Sequence, residues 1–271
     1  MFKLLHLKLG VAFIVSNSDY ILELKDISKN FGGIQAINRL SFRVEKGLIF
    51  SIIGPNGAGK TTAINLITGI YPPGSGDMFF EGQKLIKKSP YQVAHMGIGR
   101  TFQNIQVFKN MTVRENVMVG RHTKSHSGFL RCLMCTPMVW KEEKIIRQKT
   151  DETLKFLDLD SKADLRVDSL PYGDQKRVEI ARALAMEPRL LFLDEPVAGL
   201  NLQETKEMSH TILKIREKGI TVILVEHDMN LIMGISNIIM VLNYGEKIAE
   251  GSSKEIQNNP KVIEAYLGKE F

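Results

Sequence analysis

Apolar residues along the chain follow two different periods, and each period predicts a different kind of element. In YILELKD (20–26) and LSFRVEKG (40–47) they alternate with polar residues, which predicts two antiparallel strands. LIFSIIG (48–54) and the first part of LLFLDE (190–195) are continuously apolar, as in strands buried on both faces. TTAINLITG (61–69) has helical spacing and ends at a glycine, so we expect a helix there.

The rest of the chain alternates between helical and strand patterns. Helices are expected from residue 174 and near 203–217, and a strand is expected at TVILVEHD (221–228). IIMVLNYGEKIAEG (238–251) has the pattern of a hairpin and precedes a short C-terminal helix, while MFFEGQKL (78–85) is expected to be one further strand. Strands that alternate with helices imply a parallel sheet covered on both faces, so the predicted fold class is α/β.

Composition changes in the middle of the chain. Lysine, glutamate and leucine dominate from about residue 104 to residue 168, which predicts a helical insertion into a domain that covers residues 20–271. Residues 1–19 superficially resemble a signal peptide, but two lysines and a histidine interrupt their apolar run. We expect them to be a dispensable extension or the product of a misplaced start; a peripheral membrane contact or an export signal is the alternative.

Overall composition and charge narrow the class of protein only slightly. The chain has 271 residues, of which 44% are hydrophobic and 24% charged, and this is ordinary for a soluble globular protein. Its net charge of +6 is compatible with nucleic acid, an anionic membrane surface or phosphate ligands, and equally with a merely basic surface.

Two histidines and the two cysteines of the chain, His122, His126, Cys132 and Cys135, lie close together in sequence. Side chains of these types can bind zinc, but their spacings fit no common zinc module. We therefore interpret them as incidental residues of a helix rather than as a metal site. Two reduced cysteines also suit a cytosolic chain.

The clearest chemical motif is GPNGAGKTT, which lies between the apolar strand at 48–54 and the helix at 61–69. It fits the consensus G-x-x-x-x-G-K-[ST], in which glycines let backbone N–H groups curl around a phosphate at a helix N-terminus. Lys60 is expected to reach the β- and γ-phosphates, Thr61 to ligate Mg²⁺ and Thr62 to add a hydroxyl contact. The predicted cradle comprises Gly54, Pro55, Asn56, Gly57, Ala58, Gly59, Lys60, Thr61 and Thr62.

A second motif, LLFLDEP, places two acids at the end of a buried strand. We expect Asp194 to lie beside the cradle and to hold Mg²⁺ through water. Glu195 follows and is expected to face the γ-phosphate from the other side, where a carboxylate can orient and polarise a water molecule for attack. A strand can end in acids by chance, but the pairing with a complete phosphate-binding motif favours the catalytic interpretation.

Six short motifs together resemble the ABC-type ATPase family. They are GPNGAGKTT, the glutamine of GRTFQN, LPYGDQKR, LLFLDEP, AGLN and the histidine of VEHD, and they follow the family's order and spacing across about residues 20–271. The resemblance implies a P-loop NTPase (RecA-like) core with an antiparallel β subdomain and an inserted α-helical subdomain. It also implies that the nucleotide is ATP, bound with Mg²⁺, and that no nucleic acid takes part.

The resemblance assigns roles to three further residues. Phe31 corresponds to the aromatic residue that stacks on adenine, although by residue type alone it could equally be a core aromatic. Gln103 is implied to sense Mg²⁺ and the attacking water, and His227 to contact the γ-phosphate. The implied catalytic residues are Glu195, His227 and Gln103, and the implied metal ligands are Thr61, Gln103 and Asp194.

LPYGD (170–174) occupies the position of the family's signature, which is usually Leu-Ser-Gly-Gly-Gln. In that family two nucleotide domains pair head to tail, and each ATP lies between the cradle of one and the signature turn of the other. ATP therefore holds the dimer together, and hydrolysis releases it. The implied contacts to the partner's nucleotide come from Leu170, Pro171, Tyr172, Gly173 and Asp174.

Three residues depart from the family pattern. Pro171 stands where a serine hydroxyl is usual, Asp174 replaces glutamine, and Asn201 replaces an aspartate that is common after the acidic strand. The aspartate suits a helix N-terminus but adds negative charge near a triphosphate. We therefore expect this signature turn to activate the opposite nucleotide site less well, while the chain's own cradle is unaffected.

Longer segments resemble one branch of the family, the ATP-binding subunits of branched-chain amino-acid importers. They include ISKNFGGIQAINRLSFRVEKG, GIGRTFQNIQVFKNMTVRENV and LVEHDMNLIMGISN, and the region 121–145 resembles the longer helical insertion of one of two subunit types. The implied assembly contains a second ATPase subunit, the same or different, two membrane-spanning permease subunits and an external solute-binding protein. This chain would bind peripherally at the cytoplasmic face of the cell membrane.

Several alternatives to that assignment stay open at the level of sequence. Within transport they are an importer for amides or urea, and an ATPase that serves lipid export. Soluble ABC proteins of DNA repair or translation usually carry long coiled coils or two cassettes, and this chain has neither. A small-molecule kinase would use the same cradle, but LPYGD and the positions of Gln103 and His227 argue against it.

Overall fold

The computed structural model describes residues 20–121 and 137–267. The strands within these ranges are β1 (Tyr20–Phe31), β2 (Ile34–Glu45), β3 (Ile49–Ile53), β4 (Ser75–Phe80), β5 (Gln83–Lys84), β6 (Ile98–Arg100), β7 (Leu190–Asp194), β8 (Thr221–Val225), β9 (Ile238–Asn243) and β10 (Glu246–Gly251). The helices are α1 (Lys60–Ile67), α2 (Pro90–His95), α3 (Val113–Arg121), α4 (Pro137–Phe156), α5 (Tyr172–Leu184), α6 (Leu202–Glu217), α7 (Met229–Ile235), α8 (Ser253–Gln257) and α9 (Pro260–Leu267).

These strands form two sheets. The smaller one is antiparallel, with the order β2-β1-β4-β5. The larger one has the order β10-β9-β3-β8-β7-β6, and all its neighbours run parallel except the β9–β10 hairpin at one edge. The predicted α/β class, the antiparallel β1–β2 pair and the parallel central sheet are thus confirmed.

Burial explains why the central strands are continuously apolar. Every residue of β3, β7 and β8 is buried, because both faces of the larger sheet are covered. Ile49 and Ile53 of β3 join one hydrophobic core with α5 and α6, whereas Phe50 and Ile52 join a second core with α1 and the antiparallel sheet. Residues that alternate between two cores are mostly apolar on both faces, with Ser51 as the polar exception within β3, so the usual alternation of a strand disappears.

Two segments differ from the sequence prediction. The single strand expected at 78–85 is the end of β4 plus the short β5, joined by a turn at Glu81 and Gly82 that both adopt positive φ, 47° and 76°. Glycine adopts such angles readily, so EG was a turn signal inside an apolar pattern. The expected single C-terminal helix is two helices, α8 and α9, and α9 begins at Pro260, a residue suited to the first turn.

Helices α3 and α4 and two short 3₁₀ turns (160–162 and 167–169) lie between β6 and β7. Helix α3 approaches α5 so closely that a Cβ on Gly120 would lie 2.1 Å from the carbonyl oxygen of Arg182. Helix α5 is therefore packed from this side as well as against the larger sheet. Of the helices that the structure describes, none combines the length and the apolar character needed to span a bilayer.

Candidate nucleotide-binding and hydrolysis site

The cradle is the loop between β3 and α1, and two of its glycines are required by their neighbours. A Cβ on Gly54 would lie 2.1 Å from the carbonyl oxygen of Leu242 in β9. Gly59 precedes α1 with φ at 102°, and a Cβ there would lie 2.8 Å from the carbonyl oxygen of Ala36. Both positions thus hold the loop tightly against β9 and β2, which is a packing reason for glycine beyond the approach of a phosphate.

Helix α1 presents its N-terminus to this loop. No side chain caps it and its first turn contains no acidic residue, so the positive end of its dipole is not offset locally. The Lys60 Nζ donates hydrogen bonds to the carbonyl oxygens of Gly54 and Pro55, at 2.7 and 3.1 Å. Burial lowers the pKa of Lys60, while the charges of Glu195 and Asp194 act in the opposite direction. The Thr61 side chain is exposed.

Asp194 is the last residue of β7 and its side chain is almost fully buried. Its Oδ2 accepts a hydrogen bond from Arg100 Nη2 at 3.1 Å, and Arg100 Nη1 also donates to Asn65 Oδ1 of α1 at 2.6 Å. Burial raises the pKa of Asp194, and the Arg100 guanidinium opposes that rise. Arg100 thus links the acidic strand to the helix of the cradle, a role that the sequence analysis missed.

The three residues implied to act in catalysis lie together at the end of β7. Gln103 Nε2 donates to Glu195 Oε2 at 3.1 Å, and His227 Nδ1 lies 3.8 Å from Glu195 Oε1. Glu195 adopts the left-handed conformation, with φ at 51°, and its N–H donates to the Val225 carbonyl at 2.8 Å. The carboxylate is therefore contacted on both oxygens by side chains from two different loops.

Two buried acids, also missed by the sequence analysis, support the loops on either side of Glu195. Glu226 accepts hydrogen bonds from the backbone N–H groups of Val197, at 2.9 Å, and His227, at 3.0 Å. Glu179 of α5 accepts from the N–H of Phe102, the neighbour of Gln103, at 3.1 Å. Burial raises the pKa of Glu179, and that backbone hydrogen bond opposes the rise. Their signal in the sequence was an acid inside an otherwise apolar pattern.

The signature turn forms the N-terminus of α5. Pro171 is the N-cap residue and supplies no side-chain hydrogen bond, while Asp174 in the first turn is buried. The Asp174 carboxylate pairs with Lys162 Nζ at 2.5 Å and lies 3.8 Å from Arg177 Nη1. The charge that Asp174 was expected to add near a triphosphate therefore has its own counter-charges.

The other signature residues contact the segment that follows β7. The ring of Tyr172 lies against Gly199, where a Cβ would come within 3.2 Å of it, and a Cβ on Gly173 would lie 3.0 Å from Glu204 Oε1. Asn201 caps α6 through a capping box with Glu204. Among the described residues, no hydrogen bond or ion pair joins the signature turn to the cradle, so the predicted site residues form two separate groups.

Two aromatic residues, Phe31 and Tyr266, have different surroundings. Phe31 ends β1 with 40% of its surface exposed, and Tyr71 meets its ring edge-on with centroids 5.1 Å apart. Phe31 is therefore too exposed to be a core aromatic, which was one of the two interpretations that its residue type allowed. Tyr266 of α9 lies against the Gly54 backbone; burial raises the pKa of its hydroxyl, and a hydrogen bond from Gly54 opposes the rise.

Clusters of metal-binding side chains are absent from the part of the chain that the structure covers. No group of three or more His, Cys, Asp or Glu side chains within residues 20–121 and 137–267 is arranged to hold an ion. The four residues considered for zinc, His122, His126, Cys132 and Cys135, lie outside the described residues.

Comparison with protein families gives two matches. Residues 37–198 match the model of the ABC transporter family, and residues 246–271 match the model described as branched-chain amino acid ATP-binding cassette transporter. The first match contains the cradle, the signature turn and the acidic strand. The second contains β10 and the helices α8 and α9, which reach the cradle through Tyr266.

Similar proteins and structures agree with those matches. The chain is 42% identical, over 92% of its length and 98% of the other's, to the high-affinity branched-chain amino acid transport ATP-binding protein BraF of Pseudomonas aeruginosa. It is 41% identical, over 93% and 99%, to LivG of Escherichia coli, which has the same description. A nucleotide-free ATP-binding cassette from an ABC transporter superimposes with a TM-score of 0.80 at 36% identity, covering 92% of this chain and all of that one.

Proposed function

Because the chain belongs to the ABC transporter ATP-binding family, we propose that it is the ATP-binding and ATP-hydrolysing subunit of an importer for branched-chain amino acids. The observation that carries the hydrolytic part is the convergence of Gln103 and His227 on the Glu195 carboxylate, next to buried Asp194. The C-terminal family match and the described function of the relatives support the substrate class.

Binding of ATP begins at the cradle. The open N-terminus of α1 and the Lys60 ammonium provide donors and positive charge for the β- and γ-phosphates. Lys60 leaves the carbonyl oxygens of Gly54 and Pro55 for the phosphates, and its pairing with an anion replaces those two hydrogen bonds. Phe31, partly exposed at the end of β1, offers a face on which adenine stacks.

Hydrolysis uses Glu195 to orient a water molecule in line with the γ-phosphate. The amide of Gln103 and the ring of His227 hold the carboxylate from two sides, so that it is positioned before the water arrives. His227 is 70% exposed, which lets its ring contact the γ-phosphate from the surface of the monomer. Glu195 accepts the proton of the water as the new P–O bond forms and ADP leaves.

The residues at this edge of the sheet fit Mg²⁺. The Thr61 hydroxyl, the Asp194 carboxylate and the amide oxygen of Gln103 are all oxygen donors, the type that this ion prefers, and the amide nitrogen of Gln103 is already occupied by Glu195. An ion held by these residues would neutralise charge on the phosphates. Asp194 would hold it through water, since Arg100 takes one of the carboxylate oxygens.

The signature turn serves a second nucleotide. We propose that this chain pairs head to tail with another ATPase subunit, identical or related, and offers Leu170 to Asp174 and the N-terminus of α5 to the partner's ATP. The separation of the signature turn from the chain's own cradle supports this arrangement, because a turn that binds phosphate needs a phosphate within reach. ATP then closes the dimer, and its hydrolysis opens it.

Transport requires membrane partners. We propose that the chain docks at the cytoplasmic face on two permease subunits, which receive substrate from an external solute-binding protein, and that the helical region 104–168 makes the contact. Several apolar side chains near that region are exposed, as expected of a docking surface. They are Phe102, Phe108, Met111 and Leu165, each 38% exposed or more.

The test is uptake of labelled leucine by cells that lack the chain, compared with cells that carry it intact, as Glu195→Gln or as Glu217→Gln. Glu217 is an exposed acid at the end of α6 and serves as the matched control. We expect uptake to fall without the chain, to return with the intact chain and the control, and to stay low with Glu195→Gln.

Phosphate release by the purified transporter separates the two parts of the proposal. Glu195→Gln should lower hydrolysis by about 100-fold or more, the usual contribution of a positioned general base, without weakening ATP binding. If leucine uptake is unchanged in cells without the chain, the substrate assignment is wrong and amides, urea and lipids become the substrates to test. If the variant hydrolyses ATP at a near-normal rate, Glu195 is not the catalytic carboxylate.

A further inference from the structure

A buried lysine on the signature helix contacts the backbone of the catalytic glutamate. Lys176 lies in the second turn of α5 and is 4% exposed. Its Nζ donates a hydrogen bond of 2.7 Å to the carbonyl oxygen of Glu195. Burial of an ammonium group is costly unless polar groups surround it, so a lysine in this position calls for an explanation from its surroundings.

Four carboxylates supply part of that explanation. Burial lowers the pKa of Lys176, and the charges of Glu179, Glu226, Glu195 and Asp194, in that order, act against the change. The same group of acids contains Asp194 and Glu195, which the proposed function uses directly. Lys176 is therefore a buried cation that acidic side chains of the proposed hydrolysis site help to keep charged.

The backbone that Lys176 holds is an unusual one. Glu195 has a φ of 51°, a left-handed conformation that is unfavourable for a residue with a side chain and persists only when its surroundings impose it. Four hydrogen bonds do so: the Glu195 N–H donates to Val225, Lys176 and the Ala198 N–H both donate to the Glu195 carbonyl, and the Val197 N–H donates to Glu226. Of these, only the bond from Lys176 comes from α5.

We propose that Lys176 is a positioning residue for ATP hydrolysis, which fixes the left-handed backbone of Glu195 and thereby directs its carboxylate toward Gln103 and His227. The proposal rests on the proposed function, in which Glu195 orients the attacking water. Without the ammonium group the Glu195 carbonyl loses its shorter hydrogen bond, of 2.7 Å, and keeps only the one from the Ala198 N–H, of 3.2 Å. The carboxylate then occupies its productive orientation for a smaller part of the time, and catalysis slows although nucleotide binding does not.

The experiment measures steady-state hydrolysis by the purified transporter with Lys176→Met, which keeps an unbranched side chain without the charge. We expect kcat to fall about 10- to 100-fold while the KM for ATP changes less than about 2-fold, because the lost interaction acts on the transition state and not on bound substrate. Lys176→Arg keeps a donor and a charge, so it should recover most of the rate. A raised KM with unchanged kcat would mean that Lys176 serves nucleotide binding instead.

Combination with Glu195→Gln distinguishes positioning from general support of the fold. If Lys176 acts through the Glu195 carboxylate, Lys176→Met should lower the residual single-turnover rate of the Glu195→Gln transporter by less than about 2-fold. A full multiplicative loss in the double variant would overturn the proposal. Near-normal hydrolysis by Glu195→Gln alone would overturn the proposed function, and this proposal with it.

The matched control is Arg182→Met. Arg182 is another partly buried cation of α5, with its guanidinium 5.7 Å from the centre of the Phe108 ring. It should reproduce any general weakening of the helix while leaving kcat within about 2-fold. If Lys176→Met fails to fold, Lys176→Leu replaces it, since leucine also lacks a donor to the carbonyl. Its rate should lie between those of the intact and the Glu195→Gln transporters, and a rate equal to that of the intact one would overturn the proposal.

Discussion

Two helix N-termini in this molecule are proposed to bind phosphate, and they are built differently. Helix α1 starts after Gly59 at positive φ and has no acid in its first turn. Helix α5 starts after Pro171 and carries Asp174 in its first turn, paired with Lys162. The N-terminus of α1 therefore keeps its full dipole, and Lys60 adds positive charge. At the N-terminus of α5, the Asp174 carboxylate offsets the dipole, and Lys162 balances the charge of that carboxylate.

The difference separates the tasks of the two ends. The cradle brings its own positive charge and a fixed backbone, so we expect it to bind a triphosphate in the isolated chain. The signature turn contributes backbone N–H groups but little net charge, and it offers no hydroxyl at position 171. In the proposed head-to-tail pair, such a turn would complete a binding surface that the partner's cradle has begun.

The largest effect is expected when the cradle loses the positive charge of Lys60. Lys60→Ala should raise the Kd for ATP about 100-fold, since a pair of charge-assisted hydrogen bonds contributes about 3 kcal/mol. Equilibrium binding of a fluorescent ATP analogue to the purified chain measures it. Lys149→Met, an exposed lysine of α4, is the control and should bind as the intact chain does. Equal affinities for Lys60→Ala and the control would remove the lysine from the cradle.

A pair of alanine substitutions compares the backbones of the two ends. Gly59→Ala should destabilise the chain by about 2 kcal/mol, because the new Cβ meets the Ala36 carbonyl at a positive φ. Gly173→Ala should cost less than about 1 kcal/mol, because its Cβ meets only the end of the flexible Glu204 side chain. Thermal unfolding of both variants checks the order, and a larger loss at Gly173 would contradict it.

The counter-charge of Asp174 in the signature turn can be removed selectively. Lys162→Met leaves the buried Asp174 carboxylate short of a counter-charge, so hydrolysis by the assembled transporter should fall about 5-fold, the equivalent of about 1 kcal/mol. Adding Asp174→Asn removes the excess charge and should restore the rate to within about 2-fold. If the double variant is as slow as the single one, Lys162 acts by some means other than pairing with Asp174.

The smallest effect is expected at position 171. Pro171→Ser restores a hydroxyl at the N-cap of α5, where it can cap the helix or donate to a phosphate, so we expect a rate between the intact value and about 5-fold above it. Hydrolysis and thermal unfolding should be measured together, since a helix cap raises stability as well. A severe loss of activity would mean that the shape of the proline is itself required.

The sequence alone was enough to predict the elements that depend on a local pattern of residues. The apolar runs of β3, β7 and β8 and the phosphate-binding motif are local patterns. β3 and β7 lie within one residue of the predicted bounds, and β8 ends three residues before its predicted end. The turn at Gly82 was missed because aromatic residues on one side masked it. The division of the C-terminal region into α8 and α9 was missed because both are short.

Residues that support the site from other elements were much harder to identify in the sequence. Arg100 and Lys176 contact residues of the site from other elements, and Glu179 and Glu226 hold the loops that carry site residues. Charged residues in a sequence are usually exposed. Their burial results from the parallel pairing of β7 with β6 and β8 and from the packing of α5 against that edge. The counter-charge of Asp174 was missed for the same reason, since Lys162 precedes it by twelve residues.

The position of β3 in the larger sheet delays its pairing with other strands during synthesis. β3 carries the cradle, but the strands it pairs with are β8 and β9, so about 170 residues separate Ile53 from the start of its first partner. At about 5–20 residues per second, a ribosome needs roughly 8 to 35 s to make them. Throughout that interval a largely apolar strand lacks both of its partner strands, and we expect the nascent chain to depend on chaperones until Val225 has left the exit tunnel.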